Sequence, residues 1–257
     1  MSTPLGSRRP LTVPTADPAH FATNFIRQAV CEIRFPTLFE LEAERPPVDF
    51  AHALRKEYPF HSLVKSVNVS QGGVSQASNA HTFRSKNGRW TVSLRAAALS
   101  LESTQYDSFH VFEQRLSFVL KAAERVIDSD FLTRVGLRYI NAVPFDVDRI
   151  GQWVNPTLVE ALARGVYGDV DEHSQRVRGA TAEGGYTFQH GVSVEPTDGK
   201  REYVLDFDFF REDVGVAEAL TVVRRLHDLE FAMFVWSLGD AAKSHLGPSN
   251  LKGLRSD

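Results

Sequence analysis

The chain has 257 residues, 42% of them hydrophobic and 24% charged, with a formal net charge of −3 at pH 7. That length can bury a large core as one domain or two joined halves, and the slight acidity argues against a generic DNA-coating protein while leaving room for a local basic patch. The single cysteine, Cys31, excludes an internal disulfide and a cysteine-rich metal site.

Residues 1–22 are rich in Pro, Ser and Thr and predict a flexible arm. Arg8 and Arg9 are not followed by an apolar run, so a secretory signal is not expected. No stretch has the length and apolarity of a bilayer span, and the expectation is a soluble cytoplasmic protein. Residues 23–246 predict a single α+β domain of two similar halves, about 23–129 and 130–246, and residues 247–257 a flexible tail.

The first strand is "IRQAVCEIRFP", 26–36, with Cys31, Ile33 and Phe35 on one side and Glu32 and Arg34 on the other. Cys31 reads as a small buried apolar residue. Pro46 and Pro47 suit the first turn of a helix that Pro59 ends. The strand "HSLVKSVNVS" comes next, then a hairpin around Asn87-Gly88, a pair that predicts a two-residue type I′ turn with positive φ at both positions. "DSFHVFEQRLSFVLKAAERVI" predicts a helix capped by Asp107 or Ser108. Its apolar stripe is Phe109, Phe112, Leu116, Val119, Leu120 and Ala123.

The second half repeats the order. "LTRVGLRYINAVPF" is a strand closed by Pro144, as Pro36 closes the first. "NPTLVEALARG" is a short helix with Asn155 as cap, Pro156 at its first position and Gly165 after its end. Residues 168–182 are polar and carry little signal beyond that of a connecting or binding loop. "GYTFQHGVSVEP" and "REYVLDFDFF" flank a second hairpin turn, Asp198-Gly199, and a long final helix covers 216–238. Two β-α-β-β-β-α units predict one curved antiparallel sheet with both long helices on one face. By shape this is the duplicated saddle of TATA-box-binding proteins, with a helix-grip fold as the alternative.

Alternation gives each strand an apolar face and a charged face. Leu205, Phe207 and Phe209 oppose Asp206 and Asp208; Trp90, Val92 and Leu94 oppose Ser93 and Arg95; Leu99 and Leu101 oppose Glu102. The candidate binding residues are therefore Glu32, Arg34, Arg95, Glu102, Arg138, Asp206 and Asp208, together with Asn141, the other polar residue of the strand "RVGLRYIN". Three readings compete for them. They can be a solvated face laced with weak ion pairs. They can be a surface for a partner protein or a second copy. Or Arg34, Arg95 and Arg138 can bind an anionic small molecule. Mixed charge on this face disfavours nucleic acid. Asp206 and Asp208 alone are too few to define a metal site, and no metal or cofactor is expected.

No Walker loop, nucleophile elbow, H-E-x-x-H or zinc spacing is present. His190 and Glu195 share a strand at odd separation, which points them to opposite faces and makes them a poor acid–base pair. His227, Phe231 and Trp236 on the last helix read as core residues.

The ordered set "AVCEIRFP", "LSLESTQY" and "RVGLRYIN", with a late Leu-His on the final helix, resembles a sporadically distributed prokaryotic family of unknown function. That family is marked by an E-I-R-F strand and a G-L-R-Y-I-N strand. The matching positions are Glu32 to Phe35, then Leu101, Glu102 and Tyr106, then Gly136 to Asn141, and the resemblance runs from about Phe21 to Leu238. The family's Asn-Pro-Pro-like run before the first strand is missing from "TNFIRQ". The resemblance implies a stand-alone cytoplasmic protein of the accessory or defence-linked kind and lends no catalytic assignment. The expectation is a non-catalytic interaction protein, an accessory or regulatory subunit of a defence or toxin-associated system, working through the charged face. A sensor or enzyme for an anionic small ligand or nucleotide is the alternative, and nucleic-acid binding, by analogy with the saddle, is the third reading.

Overall fold

A computed structural model describes residues 9–13, 21–70, 73–195 and 199–247. The fold is α+β, with several helices and an antiparallel sheet of nine strands. The strands are β1 Ile26–Arg34, β2 Phe60–Ser70, β3 Gly73–Arg84, β4 Trp90–Arg95, β5 Ala98–Ser103, β6 Phe131–Pro144, β7 Gln175–Ala180, β8 Gly185–Val194 and β9 Arg201–Gly215, in the order β2-β3-β4-β5-β1-β6-β9-β8-β7. The helices are α1 Val48–Leu54, α2 Phe109–Ile127, α3 Ile150–Trp153, α4 Pro156–Ala163, α5 Ala219–Ser237 and α6 Asp240–Leu246.

The chain packs into two compact units. The α2 unit comprises Gln28–Arg138 and Phe210–Leu226; the α4 unit comprises Met1–Arg27, Tyr139–Phe209 and His227–Asp257. Residues 210–226 thus fall with the strands of the first sequence half and residues 23–27 with those of the second.

In the α2 unit the apolar face is the one that alternation predicts: Cys31 and Ile33, then Trp90, Val92 and Leu94, then Leu99 and Leu101 are all buried. Helix α2 lays Phe112, Leu116, Val119 and Ala123 on the core, and the Phe112 ring meets Trp90 with centroids 5.8 Å apart. Burial of each such side chain contributes about 1.5–3 kcal/mol. Ser108 caps the helix, its side chain accepting from the Val111 N–H at 3.3 Å. Asp128 closes it in the left-handed region at φ 37. Helix α1 is shorter than its flanking prolines suggest and buries Phe50 and Leu54.

The β3–β4 hairpin departs from the expected two-residue turn. Its loop runs from Ser85 to Trp90, closed by Ser85 N–H to the Trp90 carbonyl at 3.0 Å, and Gly88 (φ 71) is left-handed while Asn87 is not. The reason is the Asn87 side chain. Its Oδ1 accepts from the Ser85 hydroxyl at 2.8 Å and from the Arg89 N–H at 3.2 Å, which stabilises a longer loop. In the second hairpin Gly199 is left-handed (φ 70), and its predicted companion Asp198 lies outside the described residues. Most of the predicted arm and tail also lie outside them.

In the α4 unit, Tyr203, Leu205, Phe207 and Phe209 of β9 are buried beside Phe188 of β8, and Phe188 stacks on Phe207 at 4.9 Å. Asn155 caps α4 as expected: its Oδ1 accepts from the Thr157 N–H, while its Nδ2 donates to the Trp236 carbonyl at 2.8 Å. Strand β7 arises in the stretch that carried little signal. It has four exposed residues and shows no alternation. Helices α3 and α6 were also silent in the sequence, because neither is long enough to show a helical period.

Candidate functional site

The charged face of the α2 unit is built row by row from the strand register. Arg34 of β1, Ala98 of β5 and Arg95 of β4 form one cross-strand row, and Glu32, Ser100 and Ser93 form the next. Ala98, Ser100 and Ser93 are small, so long side chains can extend over them. Arg34 Nε donates to Glu32 Oε1 at 2.7 Å, and Arg95 Nη2 donates to Glu32 Oε2 at 2.5 Å. Arg134 Nη1 of β6 lies 3.9 Å from the same Oε1, with its guanidinium 4.5 Å above the Phe210 ring. Glu102 accepts from Gln28 Nε2 at 2.8 Å.

One carboxylate therefore serves three guanidiniums. Burial works to raise the Glu32 pKa, but the hydrogen bonds and charges of Arg34 and Arg95 outweigh it and hold the carboxyl below its ordinary 4.5. Arg95 Nε is buried without a hydrogen-bond partner. Arg34 and Arg95 remain 54% and 43% exposed, so this is an open face and not a cleft. Arg138 is exposed on β6 at even spacing from Arg134.

The other three predicted residues, Asn141, Asp206 and Asp208, belong to the α4 unit. Asn141 is buried, and its Nδ2 donates to the Leu205 carbonyl at 3.3 Å. Its odd spacing from Arg138 turns it to the opposite side of β6, and it leaves the charged set for that reason. Asp206 and Asp208 are half-buried on β9, and Asp206 lines a cavity of about 150 Å³ with Val204, Gln189 and Ser193. Two further cavities in this unit measure about 450 and 290 Å³. None of the three is lined by Glu32, Arg34, Arg95 or Arg138.

Sequence reasoning missed the polar groups on the apolar side of the α4 unit. His190 is 2% exposed, and its Nδ1 lies 2.7 Å from the hydroxyl of fully buried Tyr203. Burial, with a smaller contribution from the His173 charge, lowers the His190 pKa to about 4, so the ring is neutral at pH 7. Burial likewise drives the Tyr203 phenol upward, which keeps its proton in place. His227 Nδ1 lies 3.1 Å from the Tyr139 hydroxyl, but His227, Phe231 and Trp236, expected in the core, are each only partly buried. Glu230 is 1% exposed and accepts from the Phe209 N–H at 3.1 Å, while its Oε2 has no partner. Burial pushes its pKa well up, and Asp208 and Asp206 push the same way.

A signal for Glu230 was present. It falls on the stripe Val223, Leu226, Glu230, Met233, Ser237, where helical spacing calls for an apolar residue. Tyr203 continues the Leu205-Phe207-Phe209 alternation. Its pairing with His190 needs the β8–β9 register, which alternation does not supply.

Among the described residues no group of three or more His, Cys, Asp or Glu is placed to hold a metal ion. No described helix is long and apolar enough to cross a membrane. No family model and no curated protein matches the chain. Among solved structures it is similar to the di-domain ARO/CYC StfQ from the steffimycin biosynthetic pathway, at 11% identity, over 80% of this chain and 96% of that one. The TM-score is 0.19, and at that value the likeness carries no argument.

Proposed function

We propose that this is a non-catalytic binding protein that uses the charged face of β1, β4 and β5 to hold an acidic segment of another polypeptide. The observation that supports this reading is the single carboxylate of Glu32 shared among Arg34, Arg95 and Arg134. Each guanidinium has five donors in a fixed fork, and Glu32 takes one nitrogen of Arg34 and one of Arg95. Half-exposed guanidiniums with donors to spare suit the planar carboxylates of Asp and Glu. A polypeptide is favoured over a small anion because Arg34 and Arg95 stand half-exposed on an open strand face. On an open face a small anion would keep its water, whereas a polypeptide covers the face and excludes it. The setting is the accessory subunit of a prokaryotic defence or toxin-associated system that the family resemblance implies.

The same reading takes the chain as a duplication, with the saddle architecture preferred to the helix grip; the second half keeps the expected order of one strand, helix, three strands and helix, while the first carries four strands, β2 to β5, between α1 and α2. The reading is supported by a sheet order that keeps β2 to β5 with β1 and β7 to β9 with β6, and by the recurrence of Pro36 as Pro144 and Gly88 as Gly199.

The test is native mass spectrometry of the protein gently purified from its own host, beside the Arg34→Ala/Arg95→Ala variant. The expected result is extra mass the size of a polypeptide, lost in a variant that melts like the native chain. A bare chain, or a partner held equally by the variant, overturns the proposal. Extra mass the size of a metabolite overturns it in favour of the small-anion reading.

A further inference from the structure

The cavity of about 290 Å³ lies in the α4 unit, apart from the residues of the charged face. Its walls are mainly Leu158, Val177, Tyr186, Phe188, Met233 and Trp236, contributed by α4, β7, β8 and α5. Leu11 to Val13, Thr157, Gln175 and His190 complete the lining, and the Leu11 N–H donates to the Ala180 carbonyl at the end of β7 at 2.8 Å. No Asp, Glu, Lys or Arg lines it among the described residues, in a chain that is 24% charged.

Two titratable side chains lie in this wall, Tyr186 and His190, and His190 is the imidazole. Its ring stacks on Phe188 at 4.7 Å, and its Nδ1 is held by Tyr203, which leaves Nε2 as the ring's remaining hydrogen-bonding atom. A neutral imidazole offers one hydrogen bond there, as donor or acceptor according to its tautomer. A ligand hydroxyl satisfies either form. Size sets the rest of the ligand. A dry apolar cavity of about 150 Å³ holds one benzene ring, so this one holds about two rings. Mainly apolar and aromatic walls with a few polar groups are the usual make-up of a small-molecule site, and His190 is the one of these held in place by a buried hydrogen bond.

We infer that this cavity binds an uncharged aromatic alcohol or phenol of one or two rings, with its hydroxyl on His190 and its rings between Phe188, Tyr186 and Trp236. Nucleotides and other anions do not belong here. Their charge would be transferred into a lining with no cation to meet it.

The experiment is titration calorimetry with 2-naphthol, naphthalene and 2-naphthalenesulfonate. The native chain is expected to bind 2-naphthol several-fold to about tenfold more tightly than naphthalene, the ratio set by one neutral hydrogen bond to a buried group, and to reject the sulfonate. Val177→Trp places an indole in the cavity from a position that is 40% exposed, so the fold tolerates it. It is expected to weaken both uncharged probes by about tenfold or more, the scale of filling an apolar pocket. His190→Phe is expected to keep naphthalene and lose the preference for 2-naphthol. If that variant fails to fold, Val177→Trp and the probe series decide alone. Three results overturn the inference: no binding of either uncharged probe up to its solubility limit, sulfonate binding as tight as that of 2-naphthol, or unchanged binding by Val177→Trp.

Discussion

Glu230→Gln should stabilise the protein, and more so as the pH rises. Glu230 is 1% exposed on the core stripe of α5, where its one protein partner is the Phe209 N–H. Glutamine keeps that bond through its carbonyl oxygen. Its amide nitrogen takes the place of Oε2, which already has no partner, so the count of unsatisfied groups does not change. What changes is ionisation. The folded carboxyl has a raised pKa, so the folded state binds a proton that the unfolded state releases above its ordinary 4.5. Stability is therefore full below 4.5 and falls as the pH rises toward the folded value, by about 1.4 kcal/mol per unit. At pH 7 the ceiling on the gain from Gln is about 3 kcal/mol. The readout is the difference between variant and native unfolding free energies in urea, taken stepwise from pH 4.5 to 7. Carboxylates with lowered pKa values, Glu32 among them, slope the other way but cancel in that difference. A difference that stays flat over this range refutes the reasoning.

Glu32→Gln should cost about 1–2 kcal/mol at neutral pH, less than a fully buried charged pair because Arg34 and Arg95 are half-exposed. Its lowered pKa means that this contribution is present above 4.5 and lost as the pH falls through the folded value, so native and variant melts should converge in acid. Gly191→Ala should destabilise by about 3 kcal/mol or more in a urea melt, since φ is 154 and a Cβ there would lie 1.8 Å from the His173 carbonyl oxygen. Phe112→Ala should cost about 3–5 kcal/mol by the same assay, the range for a fully buried aromatic. Gly136→Ala should lose about 0.5–1 kcal/mol in the native background and almost nothing beside Arg134→Ala, a coupling measured by a double-mutant cycle.

Much of the α2 unit was legible because its strands have one face to bury. Period-two alternation placed Cys31, Val92 and Leu101 inside and Glu32, Arg95 and Glu102 outside, and the structure keeps each there. Legibility failed where a local side chain competes with the backbone, as Asn87 does in its loop. It failed again where elements are short or doubly exposed, as in α3, α6 and β7. The candidate site was legible as a face but not as a set. Glu32 and Asp206 both sit on charged strand faces, yet they belong to different units, and alternation is silent on which strands pair. Asn141 shares the strand "RVGLRYIN" with Arg138, but its odd spacing sends it to the opposite side, where it is buried.

The arginines in the strand "RVGLRYIN" can now be read physically. Arg134 and Arg138 share a face of β6 with Gly136 between them. A Cβ on Gly136 would meet Arg134 Nη1 at 2.5 Å and Cζ at 2.9 Å, so the guanidinium lies folded back over the glycine. From there it reaches the Phe210 ring and the edge of the Glu32 carboxylate. Gly136 is thus explained by close approach, not by backbone conformation, and the Gly-Leu-Arg order follows from it. Leu137 fills the core on the opposite side of the strand. The motif builds a platform: a glycine floor, an arginine laid across it, and a carboxylate that this arginine shares with two others. Arg134 is only 17% exposed and stands as the fixed member, while Arg34 and Arg95 are the ones turned to solvent. A partner that docks here would therefore lose little on Arg134→Lys and much on Arg34→Lys, where the planar fork is replaced by a point charge.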